Sequence, residues 1–365
     1  MEGRVDSSFW HGKRIFLTGH TGFKGAWLAF WLNKMGAEVT GFALAPETEP
    51  SFYNLLQLDQ LVTTVIGDIR NHGALREAMI AARPEIVVHL AAQPIVSTGF
   101  GDPVGTFATN VMGVVNLLEV CREIGGGLAI LVISSDKCYR NENDGRAFRI
   151  DDPLGGHDPY SASKAGTEIV VESYRSSFFN DSNGPVLASA RAGNVVGGGD
   201  WSTNRLLPDG VRAFSKGAAM VLRNPVATRP WQHVVEPLYG YMVLIEAMVR
   251  DRGFAGPWNF GPSDGNHKSV GTLAALFADV WGDGASVEIS IHEQTWKEAA
   301  VLTLDCSETN QRLGWWPVLR TEATVEWTAD WYKSALNDPS VASVRALTLR
   351  QMEDYVALQA VRSPL

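Results

Sequence analysis

A tyrosine and a lysine, Tyr160 and Lys164, stand four residues apart in the segment Tyr-Ser-Ala-Ser-Lys. On a helix this spacing places both side chains on one face. A phenol with a pKa of about 10 is a poor base at neutral pH, and a nearby ammonium lowers that pKa. The pair predicts a tyrosine base for a substrate hydroxyl, with Lys164 also holding the ribose of a nicotinamide cofactor. The alternative is a surface pair with no catalytic role.

A second polar group, Ser135-Asp136-Lys137, follows the apolar run that ends at Ile133. Strand ends face the ligand crevice in open α/β sheets, so these side chains are predicted to enter a site. Ser135 would bind the substrate hydroxyl beside Tyr160. Without the neighbouring motifs, the segment would be interpreted as a polar turn.

Three glycines at three-residue spacing, Gly19, Gly22 and Gly25, lie between a predicted strand and a predicted helix in Gly-His-Thr-Gly-Phe-Lys-Gly. A turn without Cβ atoms lets the backbone approach a diphosphate, which the helix N-terminus also favours. The loop therefore predicts a dinucleotide site formed by these glycines and by His20, Thr21, Phe23 and Lys24.

The prediction of NAD as the cofactor rests on the reaction that the family resemblance below implies, and NADP is left open. The carboxylate that usually binds the NAD ribose is absent from the end of the second strand, and Lys24 would favour an extra phosphate. Asp68, followed by Ile69, is placed to meet the adenine edge. A helix N-cap is an equal alternative for Asp68.

Alternating elements must position these groups. Apolar runs predict strands at 14–18, 38–43, 62–67, 86–90, 129–135 and 186–191, and amphipathic runs predict helices at 22–35, 74–82, 104–123 and 161–179. This order predicts an α/β fold with a doubly wound parallel sheet. Residues 1–195 are assigned to a Rossmann-like NAD domain, with a return segment near 230–260. Residues 196–365, rich in Gly and Pro at first, are assigned mainly to a smaller substrate lobe.

The 365-residue chain has a net charge of −9 and no basic run, which argues against nucleic acid as the main partner. Three scattered cysteines fit a reducing cytoplasm, and the first 13 residues lack the apolar segment of a signal peptide. No run approaches the roughly 20 apolar residues of a membrane helix. No cluster has metal-ligand spacing, so no metal is predicted.

Together these motifs resemble the nucleotide-sugar 4,6-dehydratases, members of the extended short-chain dehydrogenase/reductase family. The resemblance also includes His-Leu-Ala-Ala-Gln at 89–93, Asn110, the segment from Arg191 to Gly197, Arg-Pro-Trp-Gln-His-Val at 229–234 and Leu-Gly-Trp-Trp-Pro at 313–317. Within that group, Thr-Gly-His-Thr-Gly-Phe-Lys-Gly and Ser-Asp-Lys-Cys-Tyr are similar to the enzymes that act on CDP-glucose. The resemblance implies cofactor contacts from Leu90, Ala91, Ala92 and Asn110, and a substrate contact from Gln93.

At the substrate end, Asn194 and Arg229 are candidates for the diphosphate, because an Arg fork suits two phosphates. Arg205 would assist. Trp231 and His233 would line the sugar or base pocket, although each is more often a packing residue.

The resemblance implies dehydration of CDP-glucose to CDP-4-keto-6-deoxyglucose in deoxysugar biosynthesis, such as that of lipopolysaccharide O-antigen. Tyr160 would assist oxidation at C4 by NAD, water would leave across C5–C6, and hydride would return to C6. Asp136 would be the acid for the 6-hydroxyl. Lys137 would be either a neutral base or a cation that stabilises the enolate.

Alternatives remain at this stage. They are a dehydratase for GDP-mannose or dTDP-glucose, a 4-epimerase or reductase, and a non-enzymatic dinucleotide-sensing scaffold. The resemblance also implies a homodimer built on the helices at 104–123 and 161–179. The alternative is that both helices merely cover the sheet.

Overall fold

A computed structural model describes residues 3–262, 267–290 and 301–361 of the chain. The first two residues of the predicted NAD domain, 1–2, and the last four of the predicted substrate lobe, 362–365, lie outside the described residues. Seven parallel strands form the central sheet in the order β7-β6-β5-β4-β1-β2-β3. The strands are β1 Arg14–Thr18, β2 Glu38–Ala43, β3 Thr63–Ile66, β4 Ile86–His89, β5 Ala129–Ile133, β6 Val186–Ala192 and β7 Gly256–Phe260. The predicted α/β parallel fold is confirmed.

Side chains that alternate along a strand pack into two hydrophobic cores, one on each face of the sheet. Helices cover both faces, as in a doubly wound fold. Ile15 and Leu17 of β1 belong to one buried cluster and Phe16 to another. The first cluster lies under the helices Phe23–Lys34 and Val235–Arg250, and the second under His72–Ala82, Gly113–Ile124 and Pro159–Ser177. Because both faces are covered, the strands are continuously apolar rather than alternating.

The remaining elements lie around this sheet. Short two-stranded pairs join Val195–Val196 to Gln232–His233, Thr228–Pro230 to His267–Ser269, and Met220–Leu222 to Val287–Ile289. The other described α-helices are Ser7–Trp10, Phe52–Leu55, Val96–Gly101, Pro103–Phe107, Leu206–Phe214, Val270–Trp281, Thr321–Asn337 and Val341–Val361. The last strand, β7, pairs with β6 and returns the chain to the sheet after the segment that contains Arg229.

The helix predicted at 104–123 is interrupted. Pro103–Phe107 and Gly113–Ile124 are α-helical, but Ala108–Met112 between them forms a π-helical turn. The carbonyl of Asn110 in this turn accepts a hydrogen bond from Thr167 Oγ1 at 2.7 Å. Such turns frequently occur at functional sites.

By length and composition, the stretch Pro103–Ile124 is also the one candidate for a membrane span among the described residues. Its second half packs Leu117, Leu118 and Cys121 into the core beside the sheet, as a core helix does.

Candidate active site

A cavity of about 630 Å³ lies beyond the carboxyl ends of the strands. Parallel α/β sheets bind ligands at this edge. Most of the predicted site residues lie in its wall: Gly19, 21–25, Asp68, Ile69, 90–92, 135–137, Tyr160, Lys164, Asn194, Arg205, Arg229 and Trp231. His20, Gln93, Asn110 and His233 lie outside the lining, and their contacts explain why.

The glycine loop opens one end of the cavity. Gly19 has φ +78°, and a Cβ there would come within 2.7 Å of the Ala91 backbone; a Cβ on Gly25 would lie 2.0 Å from Gly19 O. Gly22 begins the helix Phe23–Lys34 without a side-chain cap, so the first N–H groups of the helix have no side-chain acceptor from it. The loop is therefore a close-fitting cradle that suits the diphosphate of a dinucleotide.

His20 lies behind this loop. Its ring lies against Gly41, where an added Cβ would approach within 2.2 Å, and its Nε2 lies 3.2 Å from Thr64 Oγ1. Burial lowers the pKa of His20 to about 4. It is a packing residue that follows β1 and lies against β2 and β3.

One part of the cavity wall contains Asp68, Ile69 and Glu47. The Arg70 guanidinium donates to both oxygens of Asp68, its Nε lying 2.8 Å from Oδ2, and this hydrogen bonding lowers the pKa of Asp68. Glu47 was not among the predicted site residues, because it lies in the loop beyond β2 rather than at the strand end. A dinucleotide fits the residues present, since the glycine loop is a close-fitting turn and Glu47 and Asp68 are carboxylates that could accept from ribose or adenine.

Local sequence fixes the helix that carries Tyr160 and Lys164. Asp158 caps it by accepting from Ser161 N at 2.9 Å, and Pro159 occupies the first turn, where no N–H donor is needed. The helix therefore begins two residues before its predicted start. Tyr160 and Lys164 are both buried and both line the cavity.

Burial dominates the chemistry of this pair. It raises the pKa of Tyr160 to about 12, against an opposing hydrogen bond with Ser135, and lowers the pKa of Lys164 to about 8. The predicted lowering of the Tyr160 pKa by Lys164 is wrong for this structure, since the cost of burying a phenolate is the larger effect. The phenol needs a further positive charge nearby to act as a base at neutral pH.

Ser135, Asp136 and Lys137 follow β5, which ends at Ile133 rather than at the predicted Ser135. The Ser135 hydroxyl lies 2.9 Å from Asp136 Oδ1, and Asp136–Cys138 forms a 3₁₀ turn. The other carboxyl oxygen of Asp136, Oδ2, is buried without a hydrogen-bond partner. Burial raises the pKa of Asp136 to about 6, against the opposing charges of Lys137 and Arg229. A carboxyl with such a pKa is protonated to a much larger extent near neutral pH than an ordinary aspartate, which suits a general acid.

Gln93 and Asn110 lie behind the cavity wall and tie two of its parts together. Asn110 accepts from Gln93 N at 2.8 Å and donates to Gln93 O at 3.1 Å and to Ser163 Oγ at 2.9 Å. The Gln93 side chain is turned to Thr106 Oγ1 at 2.9 Å and Ile95 N at 2.6 Å. Asn110 thus connects the loop after β4 to the helix of Tyr160 and Lys164.

At the far end, the cavity is walled by Asn194, Arg205, Arg229 and Trp231. Arg205 Nη1 lies 3.4 Å from Asp200 Oδ2, and Trp231 donates its indole N–H to Lys268 O at 3.0 Å. Arg229 is buried and Arg205 half-buried, so two guanidinium groups face this end.

His233, by contrast, is fully buried between Trp27 and Trp327, with both rings edge-on to it at 6.1 and 5.7 Å. Its role in the described fold is packing.

Comparison with known proteins agrees with this geometry. The family model for GDP-mannose 4,6 dehydratase matches residues 16–328. The chain belongs to this family. The CDP-glucose 4,6-dehydratase of Salmonella typhimurium is 43% identical over 358 residues, which cover 97% of this chain and 99% of that protein. The dTDP-glucose 4,6-dehydratase of Streptomyces antibioticus is 28% identical, over 75% of this chain and 77% of that protein.

Solved structures share the fold of the family. The dTDP-glucose 4,6-dehydratase from Bacillus anthracis, in complex with NAD, superposes with a TM-score of 0.74 at 19% identity, over 92% of this chain and all of that one. The dTDP-glucose 4,6-dehydratase from Streptomyces venezuelae, with NAD bound, gives 0.75 at 22% identity, over 88% and 97%. The resemblance inferred from the motifs is confirmed.

Within the described residues, no group of three or more His, Cys, Asp or Glu side chains is arranged to hold a metal ion.

Proposed function

We propose that this protein is a CDP-glucose 4,6-dehydratase, a hydro-lyase that forms CDP-4-keto-6-deoxyglucose. The observation that carries the proposal is Asp136, a buried carboxyl that shares a cavity with Tyr160 and Lys164 and has an oxygen without a partner. An epimerase or reductase has no need of an acid there, whereas elimination of water does. The near full-length similarity to the Salmonella enzyme supports CDP-glucose as the substrate.

Tyr160 acts as the base for the sugar 4-hydroxyl, and Ser135 orients that hydroxyl. Lys164, one helical turn along, binds the cofactor ribose and adds positive charge near the phenol. The glycine loop would hold NAD, which would supply the oxidant for C4 and the reductant for C6. Burial raises the pKa of Tyr160 to about 12, and the hydrogen bond with Ser135 opposes that rise.

Asp136 protonates the departing 6-hydroxyl, since burial raises its pKa to about 6. Lys137 lies beside it in the cavity wall and either removes the C5 proton or stabilises the enolate that forms. Under either role, Lys137→Met abolishes water loss. Near wild-type water loss in that variant would remove Lys137 from the mechanism.

Arg229, Arg205 and Asn194 bind the diphosphate of the sugar nucleotide, and Trp231 lines the same end. Residues 196–365 are assigned mainly to the substrate lobe. Residues 1–195, with the return segment near 230–260 that contains β7, are assigned to the NAD domain. The assignment of these residues rests on the cavity that they share.

We also propose a cytoplasmic homodimer serving deoxysugar biosynthesis, including that of O-antigen. The three cysteines are buried and scattered along the sequence, which suits a reducing compartment. Val104, Phe107, Met112 and Ile169 on the two predicted interface helices are exposed apolar residues, which suit an interface. A monomer at every concentration in sedimentation would exclude the dimer.

The test is to incubate the purified protein with NAD and CDP-glucose and to follow the alkali-induced absorbance of the keto sugar. Reactions with dTDP-glucose, GDP-mannose and UDP-glucose run in parallel. Product from CDP-glucose alone supports both the proposed reaction and the proposed nucleotide of the substrate. Product from another sugar nucleotide would assign the dehydratase to that substrate instead. A 4-epimer or reduced sugar without keto product points to an epimerase or reductase. NAD binding without any turnover would leave a dinucleotide-sensing scaffold.

A further inference from the structure

Glu168 is a buried carboxylate one helical turn beyond Lys164. It is 3% exposed and lies outside the cavity wall. Its Oε1 accepts from Ser134 Oγ, and its Oε2 accepts from Ser189 Oγ and from Arg191 Nη2, each at 2.8 Å. Buried carboxylates are costly unless paired and hydrogen-bonded, and this one has three donors.

These donors come from the two strands on which the site is built. Ser134 immediately precedes Ser135 at the end of β5, and Ser189 and Arg191 belong to β6. Arg191 extends the network, donating to Tyr139 Oη at 2.8 Å and to Ile150 O at 2.9 Å. Glu168 therefore joins the helix of Tyr160 and Lys164 to the strand end that carries Ser135 and Asp136.

The same carboxylate acts on the charge of Lys164. Burial disfavours the ammonium, and the charge of Glu168 is the largest influence acting to restore it. The charge of Lys164 also helps to lower the pKa values of Lys24, in the cavity wall, and of His89, the last residue of β4. The titratable groups around Lys164 or Glu168 are Tyr160 on their own helix, Cys138 after β5, His89 at the end of β4, Lys24 in the glycine loop, Arg191 on β6, and Arg175 farther along the helix.

We infer that Glu168 is a positioning residue. Its three hydrogen bonds hold the helix of Lys164 against β6 and the end of β5, and they place a buried carboxylate one helical turn from the Lys164 ammonium, outside the cavity wall. The inference rests on the proposed function in one respect, since the catalytic role of the Lys164 ammonium comes from that proposal. The charge of Lys164 itself is measurable in the purified protein with no substrate present.

The experiment compares the wild-type protein with Glu168→Gln. Competitive labelling with acetic anhydride between pH 6 and 10, with mass spectrometry of the peptide carrying Lys164, gives the titration midpoint of that lysine. Loss of an opposing charge one helical turn away lowers the pKa of a lysine by about one unit or more, so the titration midpoint of Lys164 should fall by that amount. The alkaline limb of the kcat profile for CDP-glucose should move by the same amount. A structural role alone would lower kcat at every pH and leave both midpoints in place.

Two variants are matched controls. Ser189→Ala removes one donor and keeps the carboxylate, so the Lys164 midpoint should stay at its wild-type value. Glu168→Asp keeps the charge with a shorter side chain, so the midpoint should stay near that of the wild type while kcat falls. An unchanged Lys164 midpoint in Glu168→Gln would overturn the inference. Absence of CDP-glucose turnover in the wild type would count against the proposed function and leave the labelling result intact.

Glu168→Gln leaves Arg191 buried without its anion, which is costly. Should that variant fail to fold, Glu168→Gln/Arg191→Gln removes both charges of the pair. In that background the effect of the carboxylate is judged against Arg191→Gln, which keeps Glu168. The Lys164 midpoint should be lower in the double variant than in Arg191→Gln, and equal midpoints in these two variants would overturn the inference.

Discussion

Replacing Asp136 by Asn should make the protein more stable and much less active. The pKa of Asp136 is about 6, against an ordinary value of 3.8, and burial is the main cause. Because the folded-state pKa is raised, the folded protein holds this proton more tightly than the unfolded chain. Stability is therefore lost as the pH rises through the range from 3.8 to 6, and the loss persists above it.

The size of this effect follows from the shift. About two pKa units correspond to about 3 kcal/mol of unfolding free energy above pH 7. A neutral amide of the same shape avoids that cost, so Asp136→Asn should gain up to about 3 kcal/mol at pH 8 and about 1.5 kcal/mol at pH 5. Loss of the general acid should reduce water elimination by about 10²–10⁴-fold, while oxidation at C4 persists.

The assay is urea denaturation of both proteins at pH 8 and pH 5, with keto-sugar formation and NADH absorbance followed separately. Asp354→Asn, an exposed carboxylate on the last helix, is the control and should change neither quantity. A variant no more stable than the wild type at pH 8, or equally stabilised at both pH values, would refute the electrostatic reasoning. Undiminished dehydration would refute the assignment of Asp136 as the acid.

Three further outcomes are expected. Gly25→Ala should weaken NAD binding at least about tenfold in a fluorescence titration, because its Cβ would lie 2.0 Å from Gly19 O, whereas Gly101→Ala, with open space around its Cβ, should not. Asn110→Ala should lower the unfolding free energy by about 1–3 kcal/mol in urea denaturation, since it leaves Gln93 N without its acceptor; an unchanged value would contradict that. The three buried cysteines should not react with a thiol reagent in the native protein at pH 8 and should all react in denaturant; rapid native labelling would disagree with their burial.

The sheet could be predicted from sequence because its strands are continuously apolar. β1 and β2 have the bounds that the sequence predicted, and β4 and β6 differ from theirs by one residue. β5 ends two residues early, since Ser135 already belongs to the turn that presents Asp136. An apolar pattern marks the buried part of a strand and not the point where its polar end leaves the sheet.

The site could be predicted less completely, because some residues that interact in it are far apart in the sequence. Local motifs locate Tyr160 and Lys164, but Glu168 acquires its role through Ser134, Ser189 and Arg191, which no short pattern connects. The π-helical turn at Asn110 likewise depends on a tertiary contact with Thr167. The pKa of Tyr160 depends on burial, which spacing does not report.

The cavity wall holds a group of cations beside its carboxylates, and this bears on how the site works. Lys24 and Lys164 lie near enough for the charge of Lys164 to help lower the pKa of Lys24 to about 7, although burial is the main cause. Arg205 acts on Lys24 in the same direction, and Asp136 opposes it. The half-buried amine of Lys24, the buried amine of Lys164 and the nearby guanidinium groups repel one another unless anions join them. The diphosphates of a dinucleotide and of a sugar nucleotide would provide those anions, so binding of both ligands should favour the protonated amines. The cations that disfavour one another in the free protein are then the groups that orient the substrates for proton transfer at Tyr160.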